Sequence, residues 1–586
     1  MPGIQVLYDT GILTGTSTLE NNRDVMTLPG MVRRSAYDFK DRPALIAKGP
    51  QGDRVITFTE LGIMVESMAR GLIACGLKEN AKCAILGPNS PEWAIACMAI
   101  SSAGGVCVPI DTQLTKKEIL HLISDAEVDT AFAAPEFLDC LLDITGDFAK
   151  PRQVIALTLD NKEITGDGIP FGGLISKGQE APGALPQRVP EDPAAIIYTS
   201  GTTGSPKGVI LTHANIVSDI TACYQVLKCK QEHFLSILPL HHSFELTVGL
   251  FLPIYSGSSI TFVRNQRSGG ILEELRSSRA TVILGCPFMF QRMLKEVNGA
   301  IQGVPAVEKA THILLKAVKV GEKFGINGLA EFFFNDVRKA VGIDSLRFLL
   351  VCGSPVTPKI PREFRWLGIK MLQCYGLSEA GPVLTFNPVD KPVDKSLGKP
   401  LSGVEVRIIG PDSTGVGELA FKGPMIMKGY HRASGATREV LDSEGWLKTG
   451  DLGYQDEKGY LYLLGRAGNL IVTPAGEYIC PEEIETAINL RPFIRESLVY
   501  GCQKGDGEEV RAAILPDYEA IGEHSPGRQM SDEYVHRLIS GMVKKANKTL
   551  PPFKKVGSFT LLDKELPRNS AGKVMRRVFM ELPRAE

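Results

Sequence analysis

A chain of 586 residues exceeds what one hydrophobic core usually holds, so several domains or subdomains are expected. With 44% hydrophobic and 22% charged residues, its composition is that of a globular protein with large cores. A formal net charge of −1 excludes the broad basic face of a general nucleic-acid binder.

The opening "MPGIQVLYDTG" has neither a basic nor an apolar leader region, so it does not read as a secretory signal. From "KCAILGP" (82–88) onward, apolar runs of strand length alternate with amphipathic stretches. The helix "SPEWAIACMAISSAG", the strand "GVCVPI" (105–110), the helix "TKKEILHLISDAE" (115–127) and the strands "TAFAAP" and "VIALTL" follow. This is the βαβ pattern of a parallel, doubly wound sheet. The uncharged stretch 93–110 approaches the length of a membrane span, but Ser101, Ser102, Gly104, Gly105 and Pro109 interrupt it. It reads better as a buried helix, a Gly-Gly turn and a short strand. A second alternating series runs through "FLSILPL", "SITFV", "ATVILGCP", "LRFLLVCG" and "IKMLQCYG". The helical stretch 291–345, rich in Lys, Phe, Val and Leu, stands out from it as an insertion.

After about residue 395 the strands "GVEVRIIG", "GELAFKG" and "GYLYLLGR" are short, Gly-bounded and alternating, which suggests an antiparallel sheet or a small barrel. Beyond residue 465, "NLIVTP", "PEEIETAINL", "IRESLVYG", "VRAAILP", a helix near 532–549 and a basic tail form a compact α+β unit. The twelve cysteines are scattered without a C-x-x-C pair, and the nine histidines form no metal-ligand cluster. Reduced, mostly buried thiols in a cytoplasmic protein are expected.

The segment "IIYTSGTTGSPKGVILTH" (196–213) places a glycine- and hydroxyl-rich stretch between two strands. Successive backbone N–H groups of such a turn can approach a phosphate, with Thr and Ser hydroxyls as donors and Lys207 as a charge. A plain surface loop is the competing reading. The segment is not the P-loop of nucleoside triphosphatases, because Lys207 follows Pro206 and precedes Gly208.

The string Y-T-S-G-T-T-G-S-P-K-G resembles the phosphate-loop signature of the adenylate-forming superfamily, which holds acyl-CoA synthetases, peptide-synthetase adenylation domains and luciferases. Further strings resemble that family's motifs in the same order: "LPLHHSFE" (238–245), "CGSPV" (352–356), "CYGLSEAG" (374–381), "EGWLKTGDLG" (444–453), "GRAGNLIVTPAGEYICPEEIE" (465–485) and "LPRNSAGKVMRR" (566–577). The resemblance covers about residues 30 to 580. It implies an N-terminal domain (1–467) of two doubly wound α/β subdomains plus a small β-barrel-like subdomain. A small mobile α+β domain (468–586) follows. Within the superfamily, "NLIVTPAGEYICPEEIE", "LPLHHSFE" and the insertion at 291–345 look like those of long-chain fatty acyl-CoA synthetases.

The resemblance implies a reaction in two halves. A carboxylate attacks the α-phosphate of ATP to give acyl-AMP and pyrophosphate, and the thiol of coenzyme A then displaces AMP. Thr199, Ser200, Gly201, Thr202, Thr203, Gly204 and Lys207 would hold phosphates. Gly353, Ser354 and Pro355 would admit the adenine, Tyr375 would stack on it, and Gly376 and Ser378 complete that motif. Asp451 would accept the ribose hydroxyls, helped by Arg466; its competing reading is a turn residue. Glu379, with Thr199, would bind Mg²⁺. Lys573 would swing in to bridge carboxylate and α-phosphate, and His242 fills an aromatic slot beside the acyl pocket.

Gly376-x-Ser378-x-Ala380 is also close to a hydrolase nucleophile elbow, but that reading leaves the phosphate loop, Asp451 and Lys573 without a use. The sequence departs from the family pattern at Gly468 and Asn469, where many relatives are charged, and at Cys374. Gly468 occupies the hinge position and is permissive there. A carrier-protein thiol as acceptor, an aryl or short-chain acid as substrate, and a relative that only binds nucleotide remain alternatives. The partners expected are a small carboxylic acid, a fatty acid first, and coenzyme A. No nucleic acid and no membrane span are expected, peripheral membrane contact is compatible, and no residue signals an oligomeric state.

Overall fold

The computed structural model describes residues 27–568, 574–576 and 579, apart from 50–51, 145–149, 160–167, 182, 200–205, 264–269, 324–329, 331–332, 354–355, 473–477, 505–506 and 526–529. Two large sheets dominate. In the first, of eight strands, the order is Gly429–Tyr430, Lys207–Thr212, Pro193–Thr199, Val106–Ile110, Lys82–Leu86, Val128–Ala133, Gln153–Ala156 and Ile169–Pro170. Only the pairings of Lys207–Thr212 with its two neighbours are antiparallel. The stretch 93–110 resolves as read. Helix Pro91–Ser102, capped by Ser90, is buried all round, and Gly104, at φ +84°, turns the chain into the buried strand Val106–Ile110. No described helix is long and apolar enough to cross a membrane.

The second sheet has nine strands, in the order Lys399–Pro400, Thr385–Phe386, Lys370–Tyr375, Phe348–Val351, Val282–Gly285, His233–Ser236, Ser259–Phe262, Pro43–Ala47 and Arg54–Thr57. Its six central strands pair parallel and its edges antiparallel. The apparent insertion at 291–345 proves to be part of the winding. Helices Pro287–Gln302, Pro305–Lys323 and Asn335–Val341 belong to the crossover between the adjacent parallel strands Val282–Gly285 and Phe348–Val351. Phe290, Met293, Val297, Phe334 and Val337 share one core with Leu349 and Val351. Its unusual length hides a standard connection.

The third expected unit is an open sheet of four antiparallel strands, not a closed barrel: Glu405–Ile409, Gly417–Lys422, Leu447–Gln455 and Leu461–Arg466. "TGDLG", for which a turn was the competing reading of Asp451, lies inside the strand Leu447–Gln455. Its alternating burial, with Leu447, Thr449, Asp451 and Gly453 inward, sets the Asp451 side chain on the buried face. A smaller unit follows. Strands Ile494–Lys504, Gly507–Pro516 and Ser558–Leu561 pack with helices Pro481–Asn489 and Asp532–Asn547 around Ile484, Val499, Ile514, Ile539 and Val543. All twelve cysteines are free thiols.

Candidate active site

Four parallel strands of the nine-stranded sheet open side by side, three of them into segments singled out by sequence. His233–Ser236 leads into 238–245, Val282–Gly285 into 284–290, Phe348–Val351 into 352–356, and Lys370–Tyr375 into 376–381. Ligands of open α/β sheets bind in the crevice outside such carboxyl ends.

The segment expected to meet phosphate lies on two antiparallel strands. Strands Pro193–Thr199 and Lys207–Thr212 pair so that Thr199 faces Lys207, and Thr199 Oγ1 donates to the Lys207 carbonyl at 3.4 Å. Gly429–Tyr430 adds to the free edge, with Tyr430 opposite Val209. This addition places the Tyr430 ring 5.3 Å from Lys207 Nζ, and the Tyr430 hydroxyl donates to Glu379 Oε1 at 2.8 Å. Thr199, Lys207, Tyr430 and Glu379 thus form one contiguous chain of contacts. Asn215 supports it from behind, donating to the carbonyls of Pro424 and Ile426 at 2.7 and 2.8 Å, and Met427 N–H binds the Glu379 carbonyl at 2.9 Å. Tyr430 was not singled out by sequence, since a lone tyrosine on a two-residue strand carries no pattern.

On the sugar side, Asp451 receives the Tyr375 hydroxyl at Oδ2 (2.7 Å) and Arg466 Nε at Oδ1 (3.0 Å). Asp451 and Arg466 are direct partners across two antiparallel strands. Beside the stacking expected of its ring, buried Tyr375 therefore orients Asp451, and burial with that carboxylate pushes its phenol well up. Gly376 has no room for a side chain: a Cβ there would lie 1.8 Å from the Pro382 carbonyl oxygen. Gly353 sits at φ +91° in open space, a backbone conformation suited to glycine. Ser378 Oγ lies 3.1 Å from Ser243 Oγ. That contact joins the "CYGLSEAG" segment to the segment 238–245.

Within 238–245, the rings of His241 and His242 are 4.3 Å apart, and His241 Nε2 meets Asp111 at 3.4 Å. Burial first, and then His241, hold the His242 imidazole down at about 3, so it is neutral around pH 7. Two buried acids stand behind these segments. Glu245 opens the π-helical run Glu245–Phe251 and accepts from Ser236 Oγ at 2.7 Å. Asn89 donates to that Ser236 oxygen at 2.9 Å and to the Leu238 carbonyl at 2.6 Å, and accepts from Leu240 N–H at 2.8 Å. Asp219 accepts from Val383 N–H at 2.8 Å and from Cys223 Sγ at 3.3 Å. Burial pushes both carboxyls up to about 8, so both are protonated at neutral pH. Sequence reading passed over Asp219 and Asn89, which lie in no motif; a charged residue within an apolar helical pattern was the available signal for Asp219.

Ser200, Gly201, Thr202, Thr203, Gly204, Ser354, Pro355 and Lys573 lie outside the described residues. The flanks of Lys573 are fixed: Arg568 and Val574 pair as a bridge, Met575 N–H binds the Pro567 carbonyl at 2.7 Å, and Arg576 binds both oxygens of Glu485 at 2.7 and 2.6 Å. Arg568 also lies over the Phe288 ring at 4.6 Å, and Lys295 pairs with Asp517 at 2.9 Å, so the smaller unit touches the 284–302 region. Gly468 sits in the short turn Ala467–Asn469 with nothing near a would-be Cβ, and Asn469 Nδ2 donates to Glu482 at 2.9 Å.

Glu379, Tyr375 and the segments around them thus gather at the carboxyl end of a doubly wound sheet, the place where such folds take their ligands. The family model described as AMP-binding enzyme matches residues 32–431, and that of the AMP-binding enzyme C-terminal domain matches 468–584. The chain belongs to the AMP-binding enzyme family and is an ATP-dependent acid–thiol ligase of the acyl-CoA synthetase type. It is 26% identical to the peroxisomal long chain acyl-CoA synthetase 6 of Arabidopsis thaliana, over 86% of this chain and 75% of that protein. To the long-chain-fatty-acid–CoA ligase heimdall of Drosophila melanogaster it is 28% identical, over 81% and 74%. Among solved structures, ATP-bound MatB from Rhodopseudomonas palustris superposes with a TM-score of 0.73 at 27% identity, covering 95% of this chain and 99% of that one. An anthranilate CoA ligase, AuaEII, shares the fold with a TM-score of 0.75 at 19% identity, covering 95% and 97%.

Proposed function

We propose that this enzyme activates a medium- to long-chain fatty acid, through acyl-AMP, to its coenzyme A thioester. The observation carrying the long-chain reading is the apolar run that follows His242, packed in the main hydrophobic core. Residues Glu245–Phe251 and Leu252–Ser256 are almost entirely buried and apolar, and with Glu245 protonated and His242 neutral they present no charge to a hydrocarbon chain. The long-chain ligases among the relatives support the same reading. An aryl or short-chain acid is the second reading, supported by the aryl-acid ligases that share the fold.

In the first half-reaction a carboxylate oxygen forms a bond to the α-phosphorus and the bond to the pyrophosphate oxygen breaks. Lys207 offsets charge on the phosphates, and Lys573, carried by the 468–586 domain, bridges carboxylate and α-phosphate. Asp451, oriented by Tyr375 and Arg466, accepts the ribose hydroxyls. Mg²⁺ asks for only one or two protein oxygens, and Glu379 and Thr199 supply hard oxygen donors on one chain of contacts. When bound, it neutralises charge on the leaving pyrophosphate. In the second half-reaction the thiol sulfur attacks the acyl carbon, AMP leaves, and the thiol proton is released. Rotation of the 468–586 domain about Gly468 separates the two halves.

The test is product analysis with ATP, Mg²⁺, coenzyme A and graded acids. Acyl-CoA with AMP and pyrophosphate from fatty acids supports the reading. Acyl-AMP that coenzyme A cannot discharge would point to a carrier-protein acceptor instead.

A further inference from the structure

Helix Pro305–Lys323 forms the outer part of the long crossover. One side of it is committed to the core: Val318 is buried, and Val307, Leu314 and Leu315 pack beside it. The opposite side carries Lys309, Ile313, Lys316 and Val320, spaced by four, three and four residues, which makes a single stripe on a 3.6-residue helix. All four are exposed, Ile313 at 60% and Val320 at 53%, and the exposed alanines Ala306, Ala310 and Ala317 border them. No acidic residue lies on the stripe; Glu308 is half-buried on the flank. Val304 just before the helix and Phe333 beyond it are exposed at 45% and 38%. Of the twelve large apolar residues exposed among those described, four therefore fall in this one segment. A merely solvated helix face would carry charges of both signs and few β-branched aliphatics.

We propose that this face docks the enzyme on an anionic lipid bilayer, with Lys309 and Lys316 at the headgroup phosphates and Ile313 and Val320 entering the acyl boundary. Lysines flanking aliphatic side chains suit the headgroup boundary of an anionic bilayer, since the lysine stems lie along apolar surface while their ammonium groups meet the negative surface potential. A protein-binding face would instead be depleted in lysine and anchored by aromatic residues or arginine. The helix is held to helices Pro287–Gln302 and Asn335–Val341 by its other side, so docking requires no unfolding. The proposal concerns where the enzyme docks and stands whichever acid it takes.

The test is co-sedimentation of the full chain, without substrate, with vesicles of phosphatidylcholine alone or mixed with phosphatidylglycerol. The wild type is expected to bind the anionic vesicles, to be released by salt, and to bind the zwitterionic ones weakly. Lys309→Glu with Lys316→Glu should weaken anionic binding by at least about tenfold, and Ile313→Asn with Val320→Asn by several-fold. Both variants should keep the wild-type melting transition and acyl-CoA formation from detergent-dispersed acid. Failure of the wild type to bind anionic vesicles, or variants that bind as it does, would overturn the proposal. Capture by an acidic carrier protein without vesicle binding would overturn it too, by reassigning the face to a protein partner.

Discussion

The Tyr375 hydroxyl donates to Asp451 Oδ2 at 2.7 Å, across 76 residues of sequence, and so ties the end of the large sheet to the small antiparallel one. Arg466 holds the other oxygen at 3.0 Å. Both oxygens of Asp451 are thus held in place, as the proposed ribose contact requires. Replacing Tyr375 with phenylalanine keeps the ring and removes one hydrogen bond to a charged group, whose loss costs about 1.5–3 kcal/mol. The expected outcome is a rise in KM for ATP of about tenfold or more, with little change in KM for the acid. Initial rates at varied ATP check this; an unchanged KM for ATP would detach Tyr375 from the nucleotide.

Glu379→Gln should raise the Mg²⁺ concentration needed for half-maximal rate, because a neutral amide is a poorer ligand for a hard dication. Tyr430→Phe, which removes the donor on Glu379 Oε1, should move the same curve less far. A magnesium titration of both variants is the check. Curves that overlay the wild type would remove Glu379 from the metal site.

Lys573→Ala should suppress acyl-AMP formation by about 10²–10³ while leaving thioester formation from supplied acyl-AMP largely intact. The half-reactions are measured separately, by pyrophosphate release and by discharge of synthetic acyl-AMP. Equal losses in both would show that Lys573 has another role.

Asp219 and Glu245 give the fold a pH dependence whose sign is opposite to that of a paired surface carboxylate. Their folded-state values are raised to about 8, well above an unfolded carboxyl near 4, so between those pH values the folded state holds protons that the unfolded state has released. Their contribution to stability is complete below about pH 4 and is lost as pH rises through about 8. Each group can contribute a slope of up to about 1.4 kcal/mol per pH unit within that window. Asp219→Asn and Glu245→Gln should therefore flatten the fall in melting temperature between mildly acidic and mildly alkaline pH. Melting scans across that range decide; slopes identical to the wild type would mean that neither group stays protonated in the fold.

Much of the architecture was legible in the sequence because β-formers bounded by glycine alternated with amphipathic stretches. That is how Lys82–Leu86, Val106–Ile110 and Lys370–Tyr375 could be placed. For the candidate site, the motifs pointed to Thr199, Glu379 and Asp451, and the structure gives each a defined set of contacts. Other features escaped for physical reasons. The strand Leu447–Gln455 contains "TGDLG", whose local chemistry resembles a turn; Gly450, at φ +68°, interrupts the register there, and cross-strand pairing on both sides carries the strand past it. The crossover 287–345 looked inserted because it is far longer than its neighbours, and its helices declare their place only by packing on the sheet. Tyr430, Asn89 and Asp219 act through contacts 51, 147 and 164 residues away, which no local pattern encodes.

Gly468 separates a hinge from a tight turn. A Cβ at this position meets nothing within 4 Å and its φ is not in the left-handed region, so this arrangement does not itself demand glycine. Gly468→Pro, which fixes φ near about −65°, should trap the adenylating arrangement. Acyl-AMP and pyrophosphate would still form in a single turnover while acyl-CoA formation collapses. Parallel losses in both half-reactions, in protein shown by its melting transition to be folded, would rule the hinge out.

The central claim, activation of a long hydrocarbon acid by adenylation and thioesterification, is tested most directly by comparing kcat/KM for acyl-CoA formation across saturated acids from two to sixteen carbons, with AMP and pyrophosphate quantified alongside. The expected result is equimolar AMP and acyl-CoA, with kcat/KM rising toward the longer chains as the uncharged run at residues 245–256 takes up each added methylene. A maximum at acetate or propionate, or better turnover of aryl acids than of any fatty acid, would contradict it.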